Sequence, residues 1–151
     1  MRVGIGYDSH RFAPGRRLVL GGVEIDHEAG LDGHSDADVV AHAVIDALLG
    51  AAGLGDLGTH FPPSEGRWRD ADSLDLLRSV LGLLSGPVVN VDASVVCERP
   101  RLEPHRLEME RNLSGVLGAP VSVKATSNEG MGWVGRGEGI ACMAVALIDS
   151  Q

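Results

Sequence analysis

The sequence holds only two cysteines, Cys97 and Cys142, too few for a disulfide framework. They read as reduced thiols of a cytoplasmic protein. No apolar run is long enough to cross a bilayer: the longest, IACMAVALI at residues 140–148, falls far short of the roughly 20 residues a spanning helix needs. The opening segment MRVGIGYDSH lacks the apolar stretch of a secretory signal. Positive charge is also short. Lys and Arg number 13 against 21 Asp and Glu, a net charge of −8, which argues against partners that need a basic surface, nucleic acid and anionic membrane alike. Repeats and low-complexity linkers are missing, so residues 1–151 are expected to form one domain with a core of its own. Glycine is what the chain has in excess: 21 residues, about twice the usual share of about 7%.

Apolar periodicity predicts an α/β class of fold, an α+β sandwich in which a mixed sheet carries three main helices. Alternation predicts strands over residues 2–7, 88–97 and 121–126, and the apolar run at 140–148 reads as a central strand. Gly21-Gly22 between two short apolar segments predicts a hairpin turn. Ser35 with Asp38 resembles a capping box opening a helix that continues through Leu48. Asp72 and Ser73 are expected to cap a second helix with Leu74, Leu77, Val80, Leu81 and Leu84 on its apolar face, stopped by Gly86-Pro87. Pro104 is expected to open a third, ending at Gly118. Residues 53–69 and 127–139 are expected to be loops, the latter irregular through its glycines.

Asp8 and His10 stand two apart at the end of the first predicted strand, so both side chains leave on one face. His42 lies among valines and alanines in a predicted helix. Two histidines and one carboxylate make a three-ligand set with a fourth position open, the pattern of a catalytic zinc. A helical pair of His42 with Asp38 or Asp46 is the competing reading, and a facial triad for non-haem iron is another. G-x-G-x-x-G at residues 130–135 matches the dinucleotide fingerprint in letters only, because it leads into a strand and not a helix. Arg136 is expected to pair with Glu138 or to fork onto a phosphate.

Five segments in register resemble the 2-C-methyl-D-erythritol 2,4-cyclodiphosphate synthase family. They are G-Y-D-S-H at 6–10, G-H-S-D-A-D-V-x-x-H-A at 33–43, D-A-L-L-G-A-A-G-L-G-D-L-G at 46–58, K-A-T-S-N-E-G-M-G at 124–132 and G-R-G-E-G-I-A at 135–141. The resemblance implies a homotrimer with active sites between adjacent subunits. It also implies a reaction in which the 2-phosphate of a cytidine diphosphate-linked methylerythritol attacks the β-phosphate and expels CMP. By the same resemblance Asp8, His10 and His42 bind zinc, while Glu129 holds a second divalent ion, magnesium or manganese. His34 and Ser127 are implied as transition-state stabilisers. Ser35 would bind the erythritol phosphate region and Asp56 and Gly58 the erythritol hydroxyls, with Leu57, Phe61 and Glu65 also touching substrate. Residues 97–103, among them Cys97, Arg101, Leu102 and Glu103, would form much of the cytidine pocket, closed by Ala125, Thr126 and Ser127, and Asn128 would also touch substrate. Trp133 and Arg136 would face a central cavity able to hold an isoprenoid diphosphate.

Three positions depart from the family pattern. Pro63 replaces a common acid, leaving Glu65 as the nearest one; Ser127 stands for Thr and keeps the hydroxyl; Glu103 stands where an apolar residue is common. A trimeric carrier of isoprenoid diphosphate without catalysis remains a third reading, and it leaves Asp8, His10 and His42 without a task.

Overall fold

The computed structural model describes residues 1–150. The chain runs through β1 (Arg2–Pro14), β2 (Leu18–Leu20), β3 (Val23–Ile25), β4 (Ala29–Leu31), α1 (Val39–Ala52), α2 (Leu57–His60) and α3 (Ser73–Leu81). It continues through β5 (Val88–Val96), α4 (Arg106–Leu117), β6 (Val121–Thr126), α5 (Gly132–Gly135) and β7 (Gly139–Ile148). Five strands form one sheet in the order β4-β1-β7-β5-β6, with β7 at its centre, and β2-β3 forms a separate hairpin. The sheet is mixed: β5 and β6 are parallel, and the remaining neighbours are antiparallel. Helix α1 packs on β1 and β7, α4 packs on β6, and α3 touches both helices.

The seat of α1 follows from glycine. Alternation along β1 sends Val3, Ile5 and Tyr7 outward, leaving Gly4, Gly6, Asp8 and His10 to face the helix. A Cβ at Gly4 would stand 2.0 Å from the Ala47 carbonyl oxygen, and one at Gly6 1.9 Å from that of Ala43. Both obstacles are backbone and cannot swing aside. Helix and strand therefore approach as closely as their main chains allow, and this brings His42 within reach of Asp8 and His10. Gly6→Ala is expected to cost about 3 kcal/mol or more by overpacking. Urea unfolding checks it, and a loss below about 1 kcal/mol would mean that α1 has room to move.

A buried carboxylate fixes the entrance to α1. Asp38 caps the helix, accepting from the backbone N–H of Val40 and Ala41 at 3.1 and 3.0 Å. It also accepts from Gly21 and Gly22, each at 2.8 Å. Those two glycines turn the β2-β3 hairpin with φ of 56° and 71°, the left-handed values such a turn requires. Complete burial pushes the Asp38 carboxyl up to about 6, against the pull of those backbone donors. The capping box expected from Ser35 is therefore corrected: Asp38 is the cap, and the Ser35 hydroxyl turns toward His42.

Other boundaries also move. The first strand extends to Pro14, beyond the expected end at residue 7, because β4 pairs with its second half. The long loop after Gly53 contains α2 and a 3-10 turn at Gly66–Trp68, and the glycine-rich segment contains α5. Pro104 opens a 3-10 turn at Glu103–His105 that leads into α4. Helix α3 ends at Leu81 and buries Ser73, Leu76, Leu77 and Val80. Leu74, Leu81 and Leu84 sit at the core's margin.

Candidate metal centre and adjoining cavity

Asp8 and His10 leave β1 on the face that Gly4 and Gly6 open to α1, and His42 meets them from the helix. The Asp8 Oδ2 lies 2.8 Å from His10 Nε2 and 3.1 Å from His42 Nδ1. The two ring nitrogens are 3.3 Å apart. Ligand atoms about 2.0 Å from a tetrahedral zinc stand about 3.3 Å from one another, so these three converge as a ligand face would. Neither helical partner proposed for His42 holds its ring: Asp38 caps α1, and Asp46 Oδ1 accepts from the Leu57 N–H at 2.8 Å.

The far side of each ring is also specified. His10 Nδ1 donates to the Asp32 carbonyl at 2.7 Å, which leaves Nε2 to face Asp8 and, with an ion in place, to offer its lone pair. An outer partner of this kind is the usual companion of a metal-binding histidine. Burial favours a protonated Asp8, but hydrogen bonds and charge from His10 and His42 outweigh it and hold the carboxyl at about 2. Burial likewise works against a charged His10, yet Asp8 and the Asp32 carbonyl raise its pKa above the ordinary 6.5. The three groups thus attract positive charge at neutral pH, and their donor set of two imidazoles and one carboxylate suits zinc.

A cavity of about 270 Å³ opens beside them, lined by His34, Ser35, Leu57, Gly58, Phe61, Pro63, Trp68 and Leu76 besides the three candidate ligands. Phe61 meets the Trp68 ring edge-to-face at 4.9 Å, so one wall is apolar and rigid. The sequence reading missed Trp68 and Leu76. Leu76 was recoverable, because Ser73, Leu76, Leu77 and Val80 follow i, i+3, i+4, i+7 spacing. Trp68 carries no such signal, since it stands in a 3-10 turn.

Several expected site residues lie elsewhere. Asp56 caps α2, accepting from the Thr59 N–H and hydroxyl at 2.8 and 2.7 Å, and those bonds lower its pKa. Glu65 pairs with Arg67 at 2.6 Å. Cys97 is buried, with burial pushing its thiol up to about 12, so it offers no thiolate. Leu102 is buried, while Arg101 and Glu103 are exposed. Asn128 donates from its backbone to Glu98 at 2.6 Å, and exposed Glu129 sits beside it with φ 54°. Arg136 pairs with Glu138 at 3.0 Å, the outcome expected if no phosphate claims it. Trp133 lines a second, larger cavity with His10, Phe12 and Glu138.

Register shows how the groups relate. Asp8 pairs with Cys142, Cys142 with Val95, and Val95 with Ala125, in one row across the sheet. Three steps of about 4.8 Å put Ala125 about 14 Å from Asp8. The segments after β5 and β6 thus share an end of the sheet with the metal centre without closing over it.

The model of the YgbB family matches residues 1–149. A curated relative from Symbiobacterium thermophilum, named 2-C-methyl-D-erythritol 2,4-cyclodiphosphate synthase, is 60% identical over 154 aligned residues, covering 98% of each chain. Among solved structures, the bifunctional IspDF from Campylobacter jejuni superposes with a TM-score of 0.91 at 37% identity over 96% of this chain, which spans 41% of that longer one. A CDP-bound 2C-methyl-D-erythritol-2,4-cyclodiphosphate synthase superposes with a TM-score of 0.89 at 35% identity, covering 98% of this chain and all of that one. By sequence over nearly its whole length and by fold, the chain belongs to the YgbB family, and its relatives are named as cyclodiphosphate synthases.

Proposed function

We propose that the chain is a phosphorus–oxygen lyase that converts 4-diphosphocytidyl-2-C-methyl-D-erythritol 2-phosphate to the 2,4-cyclodiphosphate and CMP. The observation that carries this reading is the convergence of Asp8, His10 and His42 in the lining of a small, mainly apolar cavity. The name of the curated relatives supports the product, and the CDP-bound relative supports a cytidine diphosphate group on the substrate.

In this reading an oxygen of the 2-phosphate attacks the β-phosphorus. The bond from that phosphorus to the bridging oxygen breaks, and CMP leaves with the electron pair. The nucleophile is already an anion, so no side chain needs to remove a proton, in keeping with a chain whose buried thiols stay protonated. Catalysis then rests on folding the substrate back on itself and on offsetting charge. Asp8, His10 and His42 would hold zinc, which supplies a Lewis acid and a template for phosphate oxygens. Glu129 would hold magnesium or manganese, whose charge would offset that of the substrate's diphosphate. His34 and Ser127 would donate hydrogen bonds to the phosphate where charge develops. The Leu57 and Gly58 backbone and Asp56 would orient the erythritol, with Phe61, Trp68 and Leu76 excluding water around it. Residues 97–103 and 125–128 would enclose the cytidine.

One chain does not bring the two halves together, and the free face of the sheet suggests what does. Val3, Ile5, Tyr7, Met143 and Val145 lie exposed on the face opposite the helices. Beside this stripe stand Asp92 and Lys124, joined as an ion pair. A contiguous apolar patch of this kind marks an interaction surface. A homotrimer packed through it would set the metal centre of one copy beside the β5–β6 end of the next, with Trp133 and Arg136 toward a central cavity for an isoprenoid diphosphate. Incubating the zinc-loaded protein with the cytidyl substrate and magnesium should release CMP. No CMP from metal-replete protein would exclude this function and leave the carrier reading.

A further inference from the structure

We infer that Ser73 and Asp36 are positioning residues for the metal centre: they fix the proton on His42 so that its Nδ1 lone pair faces Asp8 and His10. The inference rests on the metal reading of Asp8, His10 and His42 given above.

His42 Nε2 lies between two hydroxyls, 2.9 Å from Ser73 Oγ and 3.0 Å from Ser35 Oγ. A hydroxyl beside an imidazole can donate or accept, so by itself it leaves the tautomer undecided. Asp36 decides it for Ser73. The Ser73 hydroxyl donates to Asp36 Oδ1; having given its one proton to a carboxylate, it can only accept from His42. Nε2 therefore carries the hydrogen, which leaves Nδ1 free to present its lone pair to an ion at the centre.

The carboxylate is itself held in place. Asp36 Oδ1 also accepts from the Asp38 N–H at 3.0 Å, and Oδ2 accepts from the Ser73 N–H at 2.9 Å. Ser73 is fully buried in the first turn of α3, so water does not compete for its hydroxyl. Ser35 has no such anchor: its oxygen accepts only a 3.3 Å contact from the Ala37 N–H, and its own proton is uncommitted. The two histidines are thus oriented by different means. His10 leans on a backbone carbonyl, which no substitution can remove, whereas His42 depends on a carboxylate–hydroxyl relay that two side chains supply.

The test is Ser73→Ala. This change keeps the α3 cap, since Asp72 accepts from the Leu74 N–H, and it keeps the Ser73 N–H bond to Asp36. Zinc affinity is measured with Zn²⁺ alone against a chromophoric chelator. The midpoint of thermal unfolding is measured with and without zinc. Loss of such an outer partner typically weakens metal binding by roughly 10–100-fold, so at least a tenfold loss is expected. The zinc-induced rise in Tm should shrink accordingly. A purely structural role would lower the metal-free and zinc-bound midpoints together; affinity within twofold of wild type overturns the inference whatever the metal-free midpoint does. Should Ser73→Ala fail to fold, Asp36→Asn is read the same way: weakened zinc binding upholds the relay, and unchanged binding overturns it. Absence of zinc binding by the wild-type chain would instead remove the metal reading, and this inference with it.

Discussion

His42→Ala is expected to strip zinc from the protein and abolish CMP release while leaving the fold in place. The imidazole would supply one of three ligand atoms, and a site reduced to Asp8 and His10 would hold a divalent ion far less tightly. The loss in affinity should exceed the roughly 10–100-fold that removal of an outer partner costs. Stability should change by only about 1–3 kcal/mol, because the loss reduces to partners left unmade at Asp8, Ser35 and Ser73. Helix α1 keeps its seat: Ala43 and Ala47 still meet Gly6 and Gly4, and Val44, Ile45, Leu48 and Leu49 remain buried. Zinc content after dialysis, CMP release and thermal unfolding check the three parts. Zinc retained at full occupancy would mean that the ion sits elsewhere, and global unfolding would make His42 a structural residue.

Ile5→Glu is expected to abolish activity by a different route. Ile5 is 71% exposed in the single chain, amid Val3, Tyr7, Met143 and Val145, so a carboxylate there costs an isolated chain little. In an assembly it would be buried without a partner, a penalty of several kcal/mol per copy. The variant should therefore sediment as a monomer and release no CMP, yet still bind one zinc per chain. Retained zinc is the diagnostic part, since Asp8, His10 and His42 all belong to one chain while Ala125, on the side proposed for the nucleotide, is about 14 Å away across the sheet. An active monomer would show that a single chain closes its own site; an intact, inactive trimer would place Ile5 in the chemistry instead.

Much of this arrangement was legible in the residue order. Period-two alternation in β1 puts Asp8 and His10 on one side, and helical spacing around His42 puts an imidazole on a buried face. These are local consequences of backbone geometry, and the structure agrees with them. The caps were harder. Ser35 and Asp38 both have side chains suited to capping, and what separates them is the Gly21-Gly22 turn, whose two N–H groups also need the Asp38 carboxylate. That partner is distant in sequence and has no local signature. For the same reason β4 escaped notice: three residues carry no period, and they become a strand only because β1 extends beside them.

The glycine excess and the deficit of positive charge mark the division most clearly. By itself the sequence determined which atoms can bind metal, that bulk charge cannot hold a phosphorylated substrate, and where the chain turns, because those depend on side-chain chemistry and nearest neighbours. Only the tertiary structure decided that Gly4 and Gly6 are spaces for a helix, that Ser73 and Asp36 stand behind His42, and that Ala125 lies three strands from Asp8 of the same chain. Such relations depend on strand register and on how closely two backbones approach, distances set by packing between segments far apart in sequence.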